Sequence, residues 1–363
     1  LLLTALRLAD FRNYAALEFA PAAGLNVFVG PNAQGKSNLL EAIAMLATGK
    51  SFRARRESEL IRDGAELAEI RGEARVPAGE ILLRAAIARA GNGARKTFDV
   101  NGSAVGFARF LGRARVVTFV PADLQMIAGG PALRRMFLNG ALAQLSPVYY
   151  RDLARYGKIV QQKAALLRGA IAPDRELLLA YNDELLAPGA ALMTARATFV
   201  AELAAAAAGV YARWNGARER VGIAYAPNVP LAGAPAAEAL STALAAHVET
   251  ELRRKTTLVG PHRDDVRFVI DGKPLDAFGS QGQQRTAVLA LKVAEYETMR
   301  FRAGDAPILL LDDVLSELDA ERADGFLTAV GSFEQAFLTT TELPPQFRAA
   351  TRFAIAAATV RAC

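Results

Sequence analysis

Residues Gly30-Pro31-Asn32-Ala33-Gln34-Gly35-Lys36-Ser37 fit the pattern G-x-x-x-x-G-K-[ST]. The apolar run Leu25-Asn26-Val27-Phe28-Val29 precedes them and reads as a strand. Leu39, Leu40, Ile43 and Ala47 follow at helical spacing. Strand, glycine-rich turn and helix, in that order, are the context in which this pattern holds the phosphates of a nucleotide. Gly30 and Gly35 let the backbone curl so that successive N–H groups face phosphate oxygens. The start of the helix adds partial positive charge. Lys36 is placed to neutralise the β- and γ-phosphates, and the Ser37 hydroxyl to ligate Mg²⁺. Such a loop commits the chain to an α/β fold.

The loop needs an acidic partner at the end of an apolar strand. Ile308-Leu309-Leu310-Leu311 followed by Asp312-Asp313 supplies it. Asp312 is expected to hold the metal through water and Asp313 to polarise the attacking water. Upstream, Phe278-Gly279-Ser280-Gln281-Gly282-Gln283-Gln284-Arg285 precedes a helix predicted from about Thr286 to Met299. Ser280 suits a helix N-cap there. The order of phosphate loop, Ser-x-Gly-Gln loop and acidic strand also resembles ATP-binding-cassette proteins. In that resemblance Ser280, Gly282 and Gln283 cap the γ-phosphate of ATP held by a second copy. Ser316-Glu317-Leu318-Asp319 resembles the D-loop of the same class.

The rest of the chain bounds the reading. Its 363 residues are 52% hydrophobic and 22% charged, an ordinary globular balance. A single cysteine, Cys363, excludes an intrachain disulfide. With two histidines, His247 and His262, it also leaves no Cys/His zinc site. No apolar run reaches the roughly 18 residues of a membrane span. A soluble, cytoplasmic chain without membrane association is expected. Strands are predicted at Leu1–Leu8, Ala15–Phe19, across residues 65–120, at Thr257–Val259, at Val266–Ile270 and finally near Ala336–Leu338. Between Pro131 and His247 helical spacing dominates, broken by turn signals near Gly169, Pro188-Gly189 and Pro227. The expected domains are 1–127, a helical arm over 128–250, and 251–363.

Several segments together resemble the RecF family of recombination mediators. They are Gly30 to Ile43, Gly49-Lys50-Ser51-Phe52-Arg53, Arg134-Arg135-Met136-Phe137-Leu138, Val259-Gly260-Pro261-His262-Arg263-Asp264-Asp265, Ser280–Arg285 and Leu310–Asp319. The resemblance implies a phosphate-loop ATPase head of the ATP-binding-cassette type. That head is like that of structural-maintenance-of-chromosomes (SMC) proteins, with a helical arm inserted between two lobes. It implies ATP and Mg²⁺ as cofactors and Gly30, Pro31, Asn32, Ala33, Gln34, Gly35, Lys36, Ser37 and Asn38 as the phosphate cradle. Ser37 and Asp312 would be the metal ligands, with Lys36 and Asp313 catalytic. It further implies slow ATP hydrolysis used as a switch and an ATP-dependent homodimer. The DNA bound would be single-stranded, gapped or double-stranded, and the chain would work with RecO and RecR to load RecA. The alternatives are an ATPase subunit of another complex, or a DNA-binding scaffold with little turnover.

Departures from the family pattern carry information. Asp313 stands where transporter ATPases have Glu, and Phe337-Leu338-Thr339-Thr340-Thr341 has no switch histidine. Both fit slow turnover. Ala122 occupies a position where Glu is common in the family, so the gating glutamine is unassigned, and Gln125 suits a surface glutamine more than that role. Arg134 and Arg135 suit ion pairs more than DNA, and His262 with Arg263, Asp264 and Asp265 suits an ion-pair network. The net charge of +6 is local, since residues 71–115 hold nine basic and three acidic residues. Arg71, Arg75, Arg84, Arg89, Arg95 and Lys96 are therefore candidate DNA contacts.

Overall fold

The computed structural model describes residues 1–169, 174–215, 218–231, 233–314, 326, 333–342 and 350–362. By packing, the chain forms two units, Leu1–Gln125 with Val288–Cys363, and Met126–Ala287. Residues 251–287 thus pack with the helical stretch.

The first unit is built on two sheets. One is antiparallel, in the order β2 (Tyr14–Phe19), β1 (Leu2–Phe11), β4 (Leu67–Val76), β5 (Gly79–Ala90), β6 (Gly93–Val100) and β7 (Ser103–Val105). The other runs β15 (Thr359–Ala362), β14 (Thr351–Ala356), β3 (Gly24–Val29), β13 (Gln335–Thr340), β12 (Ile308–Asp312) and β8 (Val116–Phe119). Its strands are parallel except for the β14–β15 hairpin. β14 and β15 lie beyond the expected final strand, where Ala357 and Ala358 turn the hairpin with positive φ.

Helix α1 (Lys36–Thr48) packs on strands of both sheets. Every residue from Leu39 to Ala47 is buried, which is why its apolar residues run all round the helix. Gly49 ends it in the left-handed region and donates its N–H to the Met45 carbonyl. Its Cβ would strike the Phe107 ring, so only glycine fits. Phe107 belongs to α2 (Phe107–Phe110), which packs on β6 through Phe98.

The chain leaves this unit at α3 (Gln125–Ala128). The second unit holds α4 (Pro131–Leu145), α5 (Pro147–Arg168), α6 (Arg175–Asn215) and α7 (Ala236–Arg254). It also holds a small sheet, ordered β11 (Lys273–Pro274), β10 (Asp265–Ile270) and β9 (Val221–Ala226), and α8 (Leu275–Phe278). The chain returns along α9 (Gln281–Ala303), which starts five residues earlier than its apolar spacing predicts.

Two expectations are corrected here. Pro188-Gly189 is not a turn but lies inside α6. A Cβ at Gly189 would meet Leu240 at 2.7 Å and Tyr156 at 3.2 Å, so the glycine permits close crossing of α7 and α5. Thr257–Val259 is not a strand. Side chains hold this segment instead, with Glu251 accepting the Leu258 N–H and Arg263 donating to the Thr257 carbonyl. β9, in turn, was masked in the sequence by the helical texture around it.

The polar residues of the second unit are buried in pairs. Arg196 is 2% exposed and donates to Asp264, Tyr149, Asn139 and the Pro261 carbonyl. Arg134 forks onto Asp265 and reaches the carbonyls of Met126, Ile127 and Gly129. Lys163 and Glu251, both fully buried, pair at 2.6 Å. The ion pairs expected of Arg134 and of Asp264 and Asp265 are thus internal to this unit.

The Tyr156 hydroxyl lies 2.8 Å from Nδ1 of His262, at hydrogen-bond distance. Burial, then the charge of Arg263, lowers His262 to about 4. An unfolded chain protonates this histidine near pH 6.5, and the folded chain only near 4. Between the two the unfolded state binds more protons. This contribution to stability is complete above pH 6.5 and declines as the pH falls, by up to about 1.4 kcal/mol per pH unit. Urea unfolding of His262→Gln between pH 7 and 4.5 should therefore show a shallower acid slope than the parent. An equal slope would assign the acid sensitivity to other groups.

Candidate functional site

The carboxyl ends of β3, β13 and β12 meet at one edge of the parallel sheet, where ligands of open α/β sheets bind. The loop from Gly30 to Gly35 leaves β3 there and enters α1. Gly30 has no room for a side chain, since its Cβ would lie 2.2 Å from the Ile355 carbonyl oxygen. Gly35 has φ +109, and its Cβ would collide with Asn13 and Tyr14. Tyr14 donates its hydroxyl to the Gly35 carbonyl at 3.1 Å, and burial pushes that hydroxyl well above the ordinary tyrosine range. Gln34 faces the β14–β15 turn, accepting the Ala357 N–H on Oε1 at 2.7 Å. The loop is thus braced by two hairpins.

A cavity of about 160 Å³ opens beside it, lined by Asn32, Ala33, Gly35, Lys36, Ser37, Asn38, Arg53, Asp313 and Thr339. Lys36 donates to the carbonyls of Gly30 and Pro31. Burial lowers its pKa from the ordinary lysine value, opposed by Asp313 and Asp312. The Ser37 hydroxyl donates to Oδ1 of Asp312 at 2.6 Å. Residues 275 apart in sequence thus meet, with Ser37 lining the cavity and Asp312 buried beside it. Two hard oxygen donors fit Mg²⁺, which takes one or two protein ligands and completes its shell with phosphates and water.

Three residues missed in the sequence complete this site. Thr339, at the end of β13, donates to Asp312 Oδ1 and accepts the Asp313 N–H, both at 2.9 Å. Arg53 reaches the cavity and donates to Asn38 Oδ1 at 3.2 Å. Glu41 is fully buried on α1, where Arg12 forks onto it at 2.8 and 2.7 Å and the Ser51 hydroxyl donates to it. Ser51 Oγ in turn accepts the N–H groups of Arg53 and Ala54. The loop that carries Arg53 is therefore anchored to the phosphate-loop helix. All three lie in segments the sequence singles out, but nothing local gave them these roles, which arise only from contacts made on folding.

The Ser280 loop lies in the second unit, as a closed capping box. Ser280 N donates to Gln283 Oε1 at 2.7 Å, and Gln283 N donates to Ser280 Oγ at 3.2 Å. Gln283 Nε2 also donates to Glu219, which accepts from Tyr211 on α6. Gly282 follows in the first turn of α9. Gln125 is exposed at the start of α3 and does not line the cavity. Ser316–Asp319 fall outside the described residues.

The basic stretch reads differently in three dimensions. Arg84 pairs with Glu69 and Asp99, Arg71 with Glu69, Arg75 with Glu80 at 4.0 Å, and Lys96 with Glu57. Arg89 donates to the Ala65 carbonyl, and Arg95 is exposed. Exposed Lys50, Arg53, Arg55 and Arg56, after α1, have no carboxylate within ion-pair distance among the described residues.

Comparison with known proteins gives one family. A family model described as the RecF/RecN/SMC N-terminal domain matches residues 2–358. The DNA replication and repair protein RecF of Symbiobacterium thermophilum is 42% identical over 357 residues, covering 94% of this chain and 92% of that protein. RecF of Geobacillus thermodenitrificans is 39% identical over 348 residues, covering 94% and 93%. Among solved structures, one of the recombination mediator protein RecF with ATPrS in the RecFOR pathway superposes with a TM-score of 0.90. It is 30% identical and covers 99% of this chain and 97% of its own. An SMC head bound to the C-terminal winged-helix domain of ScpA, at 15% identity and TM-score 0.56, shares the fold. The ATPase-head architecture with an inserted helical region is that of these structures.

The Arg12–Glu41 pair yields a stability prediction. Arg12→Ala leaves the fully buried carboxylate without its cation and should cost about 3–5 kcal/mol in urea unfolding. Glu41→Ala leaves Arg12, which is 18% exposed and can hydrate, and should cost less. The reverse order would mean that packing of the Glu41 stem outweighs the charge.

Proposed function

This chain belongs to the RecF/RecN/SMC N-terminal domain family, and from that premise we propose that it is an ATP-driven DNA-binding clamp of recombinational repair. The observation that carries the reading is the cavity lined by Lys36, Ser37 and Asp313, with buried Asp312 hydrogen-bonded to Ser37. Each head binds ATP through the backbone N–H groups of the phosphate loop, with Lys36 at the β- and γ-phosphates. Ser37 and Asp312 hold Mg²⁺, which when bound offsets phosphate charge. Asp313 accepts a proton from the attacking water as the bond between γ-phosphorus and the bridging oxygen breaks, releasing ADP. A short carboxylate and the absence of an imidazole at residues 339–341 support slow turnover.

Ser280 and Gly282 of a second copy close over the γ-phosphate. In the capping box Ser280 Oγ accepts from Gln283 N, which leaves its own proton for a phosphate oxygen. The contact is made twice about a two-fold axis. Loss of the γ-phosphate removes the bridge and lets the heads part. Loading of RecA at gaps with RecO and RecR is the process this clamp serves, a reading in keeping with relatives named for DNA replication and repair and a solved relative of the RecFOR pathway. A scaffold with little turnover is the second reading; the intact Asp312–Ser37 pair speaks against it.

Two measurements test the proposal. Lys36→Ala should lose about tenfold or more in ATP affinity by filter binding, because phosphate charge goes unpaired. Ser280→Arg should bind ATP as the parent does, yet remain monomeric in light scattering with ATP. An ATP-dependent dimer in Ser280→Arg would end the two-site reading.

The DNA surface is drawn from exposed cations that make no ion pair among the described residues, Arg55, Arg56, Lys50 and Arg95. Arg55→Glu with Arg56→Glu should weaken DNA binding, and the slope of log affinity against log salt should fall by about 0.7–0.9 per lost phosphate contact. ATP binding should be spared, and an unchanged slope moves the surface elsewhere.

A further inference from the structure

Strand β13 lies between the strand that leads into the phosphate loop and the strand that carries the acidic pair. In register, Thr339 sits opposite Phe28 of β3 on one side and Asp312 of β12 on the other. It is 1% exposed, yet it borders the cavity.

Consecutive residues of a strand point to opposite faces. If β12 simply continued, Asp312 and Asp313 would diverge, and one of them would leave the site. Asp313 instead has φ +52, in the left-handed region that a side chain disfavours. That turn keeps Asp313 at the cavity while Asp312 stays bonded to Ser37 and Thr339, both of which line it. Something must hold the residue there, and the Thr339 hydroxyl is in place to do so. Its lone pair accepts the Asp313 N–H and its proton goes to Asp312 Oδ1, each at 2.9 Å. Asp312 Oδ1 also takes the Ser37 hydroxyl, so its orientation is fixed from a strand and from helix α1 at once.

We propose that Thr339 is a positioning residue for hydrolysis, setting the metal-side and water-side carboxylates relative to each other through one hydroxyl. This rests on the reading of Asp312 and Asp313 given above. No imidazole stands in this region, and the threonine acts beneath the acids rather than on the nucleotide.

The test compares Thr339→Val, which keeps the shape and removes the hydroxyl, with Thr339→Ser, which keeps the hydroxyl. Thr339→Val should lower ATP hydrolysis at saturating nucleotide about tenfold or more, roughly one hydrogen bond in the transition state. It should raise the Mg²⁺ concentration needed for half-maximal activity while metal-free ATP binding stays within about twofold, a split that a general loss of structure would not give. Thr339→Ser should recover to within about threefold of the parent. If the valine variant does not fold, Thr339→Ala against Thr339→Ser makes the same comparison. Hydrolysis by a folded Thr339→Val within about twofold of the parent overturns the proposal, as does a serine variant no better than valine. Asp313→Asn in the same assays separates the two readings. Full activity in Asp313→Asn removes Asp313 as the base, whereas an inactive Asp313→Asn beside an active Thr339→Val removes Thr339 alone.

Discussion

Helix α1 enters the site with N–H groups that its own turns cannot satisfy. The rest of the first unit fixes where those groups point. Two sheets bury the helix from Leu39 to Ala47, and the Asn13-Tyr14 turn and the β14–β15 turn brace the loop before it. A buried charge, Glu41, would be costly on such a helix without a cation. Arg12 and Ser51 meet it, and that same arrangement ties down the following loop. A positive helix end, held rigidly at the edge of a parallel sheet, is the constraint around which the acidic strand and its threonine are placed.

What the sequence disclosed depended on range. The phosphate loop, the acidic pair and the Ser280 loop are local spacings, and they could be read directly. Their mutual contacts could not, because Ser37 and Asp312, or Arg12 and Glu41, meet only through folding. The basic stretch shows the same limit. Composition gives its charge, but only strand register reveals that Arg84 stands between Glu69 and Asp99. Pro188-Gly189 has turn chemistry, yet close packing against Tyr156 and Leu240 keeps it helical. Thr257–Val259 has strand composition but no strand to pair with. In each case tertiary contact overrides local preference.

The Ser280 loop differs in kind from the phosphate loop. Its geometry is complete within its own unit, since the capping box and Glu219 hold Gln283 without help. Glu219 also takes the Tyr211 hydroxyl from the long helix α6. A displacement of that helix therefore has a short, named path to the first turn of α9.

The strand order has a consequence for synthesis. β3 is made more than 300 residues before its neighbours β13 and β14. The second unit is one continuous stretch, and the antiparallel sheet of the first draws only on residues before 106. Both can form on the emerging chain. The parallel sheet cannot, so Val27 and Phe28, fully buried in the end, stay without their strand partners until β13 and β14 are made. Pairing of this separation is slow and exposes apolar surface meanwhile. The nucleotide site thus comes into being only after the chain has passed through the whole second unit.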